Sequence, residues 1–384
     1  MTSFYRPTAF EAAACWLPGL VDVRRAVGAG PDPLEQLKRA VRVAAGGRPV
    51  AVTFSGGRDS SAVLAVATAV AREDGTPDPV PVTFRYPGVE EADETSWQEA
   101  VVEHLGLSTW QRLTIDDEND LLGAEARASL VRRGLLFPAT MHVKDAMLRE
   151  LRGHAVLTGE GGDEVFGDRR GRALLRIARE HARPGTPRRS AARSLLPRPA
   201  RRRRERAEVA GSIGGLQWLT ASTRERLADE FARDAAAEPL AFGRGLGWLR
   251  RRRASRVFLD TYGQVASEHD VVLAHPLLDD RFLRSLGARF PFGFTDRTAG
   301  MLAVFGGLLP GAVCARGSKA SFNRAYLGSA TRDFAATWDG SGVDPELVDV
   351  DALRTAWLSG FPPGPTSLLL QQAWLASVSA QVPR

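Results

Sequence analysis

The sequence predicts an α/β fold, a doubly wound parallel sheet followed by a helical C-terminal layer. Three observations carry this. Short β-branched runs alternate with helical patterns from Val50 to Thr158. Two of those runs break into glycine-rich, acid-bearing loops, Ser55-Gly56-Gly57-Arg58-Asp59-Ser60 and Gly159-Glu160-Gly161-Gly162-Asp163-Glu164. From about residue 209 the pattern becomes almost wholly helical.

Strands are expected at Val50–Phe54, Val80–Arg85, Gln111–Ile115 and His154–Thr158, with helices at about Ser60–Arg72, Glu94–Leu105 and Met141–Leu151 between them. Strands that alternate with helices pair in parallel. Further helices are expected at Leu216–Phe231, Trp248–Glu268, Asp280–Arg289 and Thr298–Leu309, as a layer over the sheet. This divides the chain into an N-terminal extension (1–48), an α/β core (49–182), an arginine-rich loop or linker (183–208) and a mainly helical part (209–384). No internal repeat is visible.

At 384 residues, 44% hydrophobic and 25% charged, the chain can bury a large core. It has no apolar run of membrane-spanning length and no signal-peptide pattern, and its two cysteines, Cys15 and Cys314, lie far apart. A cytoplasmic protein without a disulfide framework is therefore expected.

The net charge of +6 is unevenly placed. Residues 169–206 hold fifteen arginines against Glu180 and Glu205, a local +13 that leaves the rest of the chain at −7. Pro184, Pro187, Pro197 and Pro199 lie in the same stretch, so residues 183–206 read as a mobile loop or linker with a basic run at Arg201–Arg204. Such a run fits RNA, an acidic peptide or a carrier protein, and equally a solvated insertion. No aromatic residue is interleaved for base stacking, and nucleic acid is not the expected partner.

The first loop has chemistry of its own. Gly56 and Gly57 let the backbone turn sharply and approach a ligand. The N–H groups from Ser55 to Ser60 open a helix, and a helix N-terminus binds anions. Ser55 and Ser60 add hydroxyl donors. Asp59 repels phosphate unless a cation lies between them, which implies magnesium bridging phosphate oxygens. No G-x-x-x-x-G-K-[ST] loop is present. If both loops end strands of one parallel sheet, Asp59 and Asp163 meet at one edge and can share that ion.

SGGRDS resembles the pyrophosphatase loop of the N-type ATP pyrophosphatases, and GEGGDEVFG is similar to a segment of asparagine synthetase and its relatives, the β-lactam synthetases and lasso-peptide macrocyclases among them. Weaker likenesses are Asp93-Glu94 before a helix, His275-Pro276-Leu277-Leu278-Asp279, and Arg316-Gly317-Ser318-Lys319. The resemblance covers roughly residues 35–330. It implies an AMP-forming amide-bond ligase using ATP and Mg2+, with a pyrophosphatase-type sheet.

On this resemblance Ser55, Gly56, Gly57, Asp59, Ser60 and Gly159 hold the nucleotide, and Asp59 and Asp163 the metal. Phe84 or Thr83 lines the adenine pocket, unless the residue is simply core. Lys319 corresponds to the relatives' catalytic lysine, which steadies charge as an amine attacks the acyl adenylate. Lys38, Lys144 and Lys319 are the only lysines beside forty-eight arginines, so a retained ammonium is notable. Glu160 is placed either to take the amine's proton or only to steady a helix dipole.

The glutaminase domain of full asparagine synthetases is not expected, because residue 2 is Thr and only some 48 residues precede the first strand. The amine would then come from free ammonia, from the substrate itself or through a partner subunit; a leader-peptide binder or a separate amidotransferase is the partner protein the resemblance allows. Thr298 and Leu302 stand where relatives carry Lys and Arg, although Arg297 is adjacent, and Asp270–Ala274 replaces another segment of theirs. These departures lie on the substrate side, and imply a specialised metabolite or peptide as substrate, with lasso-type macrocyclisation one form. Ammonia-dependent asparagine synthesis, tRNA modification and an inactive binding partner are the other readings.

Overall fold

In a computed structural model the protein is described at residues 3–23, 28, 30–89, 91, 93–115, 117–178, 188–317, 326–359 and 362–381. Five strands form one sheet: β1 (Val50–Thr53), β2 (Val80–Arg85), β3 (Gln111–Thr114), β4 (Ala155–Leu157) and β5 (Val272–Ala274). Their order is β3-β2-β1-β4-β5, and every pair is parallel. The predicted α/β fold and four of the strands are thus present. The fifth, Val272–Ala274, was not anticipated. It is three residues long, below the length at which strand periodicity can be read.

The strand order fixes where a ligand can bind. From β1 the chain winds outward through β2 and β3, then returns to place β4 on the other side of β1. The winding reverses between β1 and β4, and in open α/β sheets the crevice beyond the strand ends at such a point is the ligand site. Val50, Ala51 and Val52 pair with Ala155, Val156 and Leu157, so both strands end level.

Alternation along the strands packs both faces. Val52 and Leu157 enter one core with Leu64, Phe166, Phe282 and Phe305. Ala51 and Val156 enter the opposite core with Met147, Leu148, Tyr262 and Val265. Helices Arg58–Asp74 and Pro33–Ala45 cover the first face, and Met141–Glu150 and Arg253–Glu268 the second. A third core, built on Leu219, Leu227, Leu353, Leu369 and Trp374, belongs to the helical part and includes Phe10 and Ala12–Ala14. The stretch before β1 is therefore built into two cores, the helix Pro33–Ala45 entering the sheet core through Leu37 and Val41.

The arginine-rich stretch differs from the loop expected over 183–206. Residues 183–187 lie outside the described residues, but Arg188–Ser194 and Arg198–Ile213 are α-helices. Pro197 is the N-cap of the second helix and Pro199 stands in its first turn, where proline's missing N–H and fixed φ suit a helix start. The prolines open helices here instead of breaking them. Several arginines are also committed internally: Arg170 donates to the carbonyls of Ser194, Leu196 and Glu238, buried Arg201 to those of Ala236 and Glu238, and Arg206 pairs with Asp229 at 2.8 Å.

Candidate active site

The phosphate loop follows β1. Phe54 N–H donates to the Val82 carbonyl at 2.8 Å, and the chain then turns through Ser55-Gly56-Gly57 into the helix Arg58–Asp74. Gly56 has φ +80°, and a Cβ there would press on Gln98. Gly57 is the N-cap, and no side chain caps the helix, so the first-turn N–H groups are left for an anion. The serines brace this loop. Ser60 Oγ donates to the Gly57 carbonyl at 3.1 Å and accepts from Ser55 N–H at 3.2 Å, and the two hydroxyls lie 3.1 Å apart.

The second loop crosses the first almost without clearance. A Cβ on Gly159 would stand 2.7 Å from Ser60 N, and one on Gly162 would run into the Asp59 carboxyl. Glycine is required at both positions for this crossing. The consequence is that Asp59 and Asp163, from two different strand ends, come within reach of one guanidinium. Arg297 Nη2 donates to Asp59 Oδ2 at 2.5 Å, and Arg297 Nη1 donates to Asp163 Oδ1. Asp59 Oδ1 is buried without a hydrogen-bond partner among the described residues. Burial, with Asp163 nearby, raises the Asp59 pKa despite Arg297.

These residues fit a magnesium ion. Asp59 Oδ1 is an orphaned buried acceptor beside a second carboxylate. No group of three or more His, Cys, Asp or Glu able to hold a metal occurs among the described residues. Two aspartates completed by phosphate oxygens is the ligand set magnesium commonly takes in nucleotide sites.

A cleft of about 520 Å3 contains these parts. Ser55, Gly57, Asp59, Ser60, Gly159, Glu160, Asp163, Phe84 and Arg297 all line it. Between the two adenine-pocket candidates the structure distinguishes clearly. Phe84 lines the cleft, whereas Thr83 is buried, donates to the Phe54 carbonyl at 2.7 Å and accepts from Trp110 Nε1 at 2.9 Å.

Glu160 stands before Gly161, which at φ +91° turns the chain into the short helix Gly162–Phe166. Its N–H donates to Thr158 Oγ1 at 3.2 Å, and Thr158 Oγ1 meets His275 Nδ1 at 2.7 Å. Burial pushes the His275 pKa down to about 4, so the ring is neutral near pH 7. Burial also raises Glu160; Lys144 Nζ, 4.0 Å from its Oε1, opposes the shift. Glu160 lines a second, smaller cavity too, walled by Leu249, Phe258, Leu259 and Leu278 together with Glu164, Arg250 and Arg256.

Lys319 lies outside the described residues. Arg316, three positions earlier, is buried against the phosphate loop: its Nη1 donates to the Gly56 carbonyl at 2.8 Å and to Glu94 Oε2 at 3.1 Å, and its guanidinium stacks 4.9 Å above the Trp97 ring. Arg297, Arg316, Glu94 and Lys144 are site residues to which sequence reasoning gave no role. For Lys144 a signal existed, since it shares the rarity that singled out Lys319.

A phosphate loop and a facing pair of acids at the switch point of a parallel sheet define an α/β enzyme that handles nucleotide phosphates. The asparagine synthase family model matches residues 34–360, most of the chain, and the protein belongs to that family. It is thus an ATP-dependent amide ligase of the asparagine synthetase kind. No curated protein sequence matches it. Among the described residues no helix is long and apolar enough to cross a membrane.

Proposed function

We propose that this ligase activates a substrate carboxylate as an acyl adenylate and transfers the acyl group to an amine, in the making of a specialised metabolite or peptide. The carboxylate oxygen attacks the α-phosphorus of ATP, and the bond to the β-phosphate oxygen breaks, releasing pyrophosphate. The amine then attacks the acyl carbon, AMP leaves, and one proton is lost from nitrogen. One observation carries the reading: Asp59 and Asp163 converge over an uncapped helix N-terminus at the end of β1.

Each residue has a task. First-turn N–H groups of the 58–74 helix hold phosphate oxygens, while the serines keep the loop in shape. Asp59 and Asp163 would hold magnesium, which when bound would supply positive charge for the pyrophosphate oxygens. Phe84 packs on the base. Glu160 takes the amine's proton; burial raises its pKa, which makes it a stronger base than an ordinary carboxylate. Lys319 steadies the developing negative charge, as the family resemblance implies.

The amine side is argued from the smaller cavity. Glu160 belongs to both cavities, so an amine entering from the second meets the acyl carbon beside its base. Arg250 and Arg256 also line it, but their charges are paired with Asp280 and Asp260, and the four apolar walls offer a substituted amine surface that free ammonia cannot use. This favours a substituted amine, as in a peptide, over asparagine formation.

ATP–pyrophosphate exchange against a panel of carboxylic acids and peptides tests the proposal. Exchange should appear with the cognate acid and fall about 100-fold in Asp59→Ala, roughly 2.7 kcal/mol of barrier. In Lys319→Ala, exchange should persist while amide formation falls. Undiminished exchange in Asp59→Ala refutes the reading.

A further inference from the structure

The pair of carboxylates read as the magnesium site is joined by a cation of the chain's own. Arg297 opens the helix Arg297–Phe305, whose N-cap Asp296 accepts from Ala299 N–H at 2.8 Å. That cap fixes the backbone, and the side chain reaches into the cleft. It donates through Nη2 to Asp59 and through Nη1 to Asp163, with only about a fifth of the side chain exposed. Two charge-assisted hydrogen bonds to separate acids make this a bridge and not a chance surface pair. Arg58, the first residue of the phosphate-loop helix, lines the same cleft.

We propose that Arg297 is the resident counter-ion of the Asp59–Asp163 pair and that magnesium, arriving with the nucleotide, displaces it. The inference rests on the reading of the two aspartates as metal ligands. The charges decide it. A guanidinium bridging both carboxylates supplies one positive charge, and a divalent ion bound to the same oxygens supplies two. Both cations cannot keep those contacts without strong mutual repulsion at low effective dielectric. Asp59 Oδ1 stays unpartnered while Arg297 is in place, so the guanidinium satisfies the site less completely than a metal with several coordination positions. Phosphate oxygens, entering with the metal, offer the released guanidinium a new bidentate partner beside Arg58.

It follows that Mg2+ alone binds the wild-type protein poorly, because binding must break two Arg–Asp bonds with no phosphate to receive the arginine. Nucleotide and metal therefore bind with positive coupling.

Calorimetric titration with Mg2+, without nucleotide, tests this in wild type, Arg297→Gln, Arg297→Lys and the double variant Arg297→Gln/Asp59→Asn. Melting temperatures with and without Mg2+ give a second readout. Arg297→Gln should bind Mg2+ about tenfold tighter or more, a difference of roughly 1.4 kcal/mol, and should gain more thermal stability from the ion than wild type. The double variant should lose that gain. Arg297→Lys keeps the charge but can bridge less well, so it should fall between; it decides the matter if the glutamine variant does not fold. Equal Mg2+ affinity in wild type and the folded Arg297 variants overturns the inference. Single Asp59→Asn separates the two claims. If it binds Mg2+–ATP as wild type does, the metal-pair reading has failed; if it loses Mg2+–ATP while Arg297→Gln behaves as wild type, only the counter-ion role has failed.

Discussion

Replacing Arg316 by methionine should both destabilise the protein and loosen its phosphate loop. The Arg316 side chain is 4% exposed and that of its partner Glu94 7%. The guanidinium meets both carboxylate oxygens of Glu94, the Gly56 carbonyl and the face of Trp97. Removing one member of a buried ion pair leaves the other charge poorly compensated, at a typical cost of about 3–5 kcal/mol. With an unfolding entropy of roughly 2 cal/mol/K per residue, a chain of 384 residues has about 0.8 kcal/mol per degree, so the melting temperature should fall by about 4–6 °C. Restoring neutrality with Arg316→Met/Glu94→Leu should recover most of this, because an apolar pair of similar volume often replaces a buried ion pair without loss.

Nucleotide binding separates packing from positioning. The double variant still lacks the donor to the Gly56 carbonyl, which sits inside the phosphate loop. ATP affinity should therefore stay reduced about tenfold, near the value of one charge-assisted hydrogen bond, even where thermal stability has returned. Scanning calorimetry and nucleotide titration on the same samples give both numbers. A fall of less than about 1 kcal/mol for Arg316→Met would place the pair with ordinary surface bridges and refute the argument. So would a double variant that regains both stability and ATP affinity.

Three further outcomes follow from the same geometry. Gly162→Ala puts a methyl into the Asp59 carboxyl, so exchange activity should fall about 100-fold, or roughly 2.7 kcal/mol of barrier, while Gly211→Ala, where a Cβ meets open space, should leave it unchanged. For Glu160→Gln, exchange should persist but amide formation should lose its rise with pH; in wild type that rise should be centred above the ordinary carboxylate range, because burial raises Glu160. Burial holds His275 at a pKa of about 4, below its unfolded value, so the folded state binds fewer protons than the unfolded one between roughly pH 6.5 and 4. Stability should therefore drop as pH falls through that window, and His275→Asn should flatten the drop in melts taken across it.

How far the site could be read in advance depends on the sequence distance of its contacts. The two loops were legible because each carries its own signal, a β-branched run breaking into Gly with an acid at fixed spacing. Their meeting was legible as well, since parallel strands deliver their C-terminal loops to one edge. Ser60 reads as a phosphate donor from its spacing, yet its hydroxyl bonds within the loop to Gly57 and Ser55. The short edge strand β5 and the helices of the arginine-rich stretch were hidden for local reasons. Three residues show no period, and prolines at a helix start look like prolines in a loop.

The roles of Arg297 and Arg316 were illegible for a different reason. Arg297 binds acids 134 and 238 positions away, and Arg316 a carbonyl 260 positions away. Arg316 opens the Arg316–Lys319 likeness and Arg297 stands beside Thr298, but neither neighbourhood tells which distant acid or carbonyl the guanidinium meets. Each becomes special only where the helical part folds back over the sheet: Arg316 fixes the phosphate loop from above, and Arg297 neutralises the acids beneath it. The nucleotide site therefore needs the C-terminal half for its charge balance, although both of its glycine-rich loops lie before residue 168. A chain truncated after that motif would keep Asp59, Asp163 and the neighbouring Arg58 but lose the Arg297 guanidinium that bridges the two carboxylates, and like charges brought that close disfavour the very loop crossing that Gly159 and Gly162 permit.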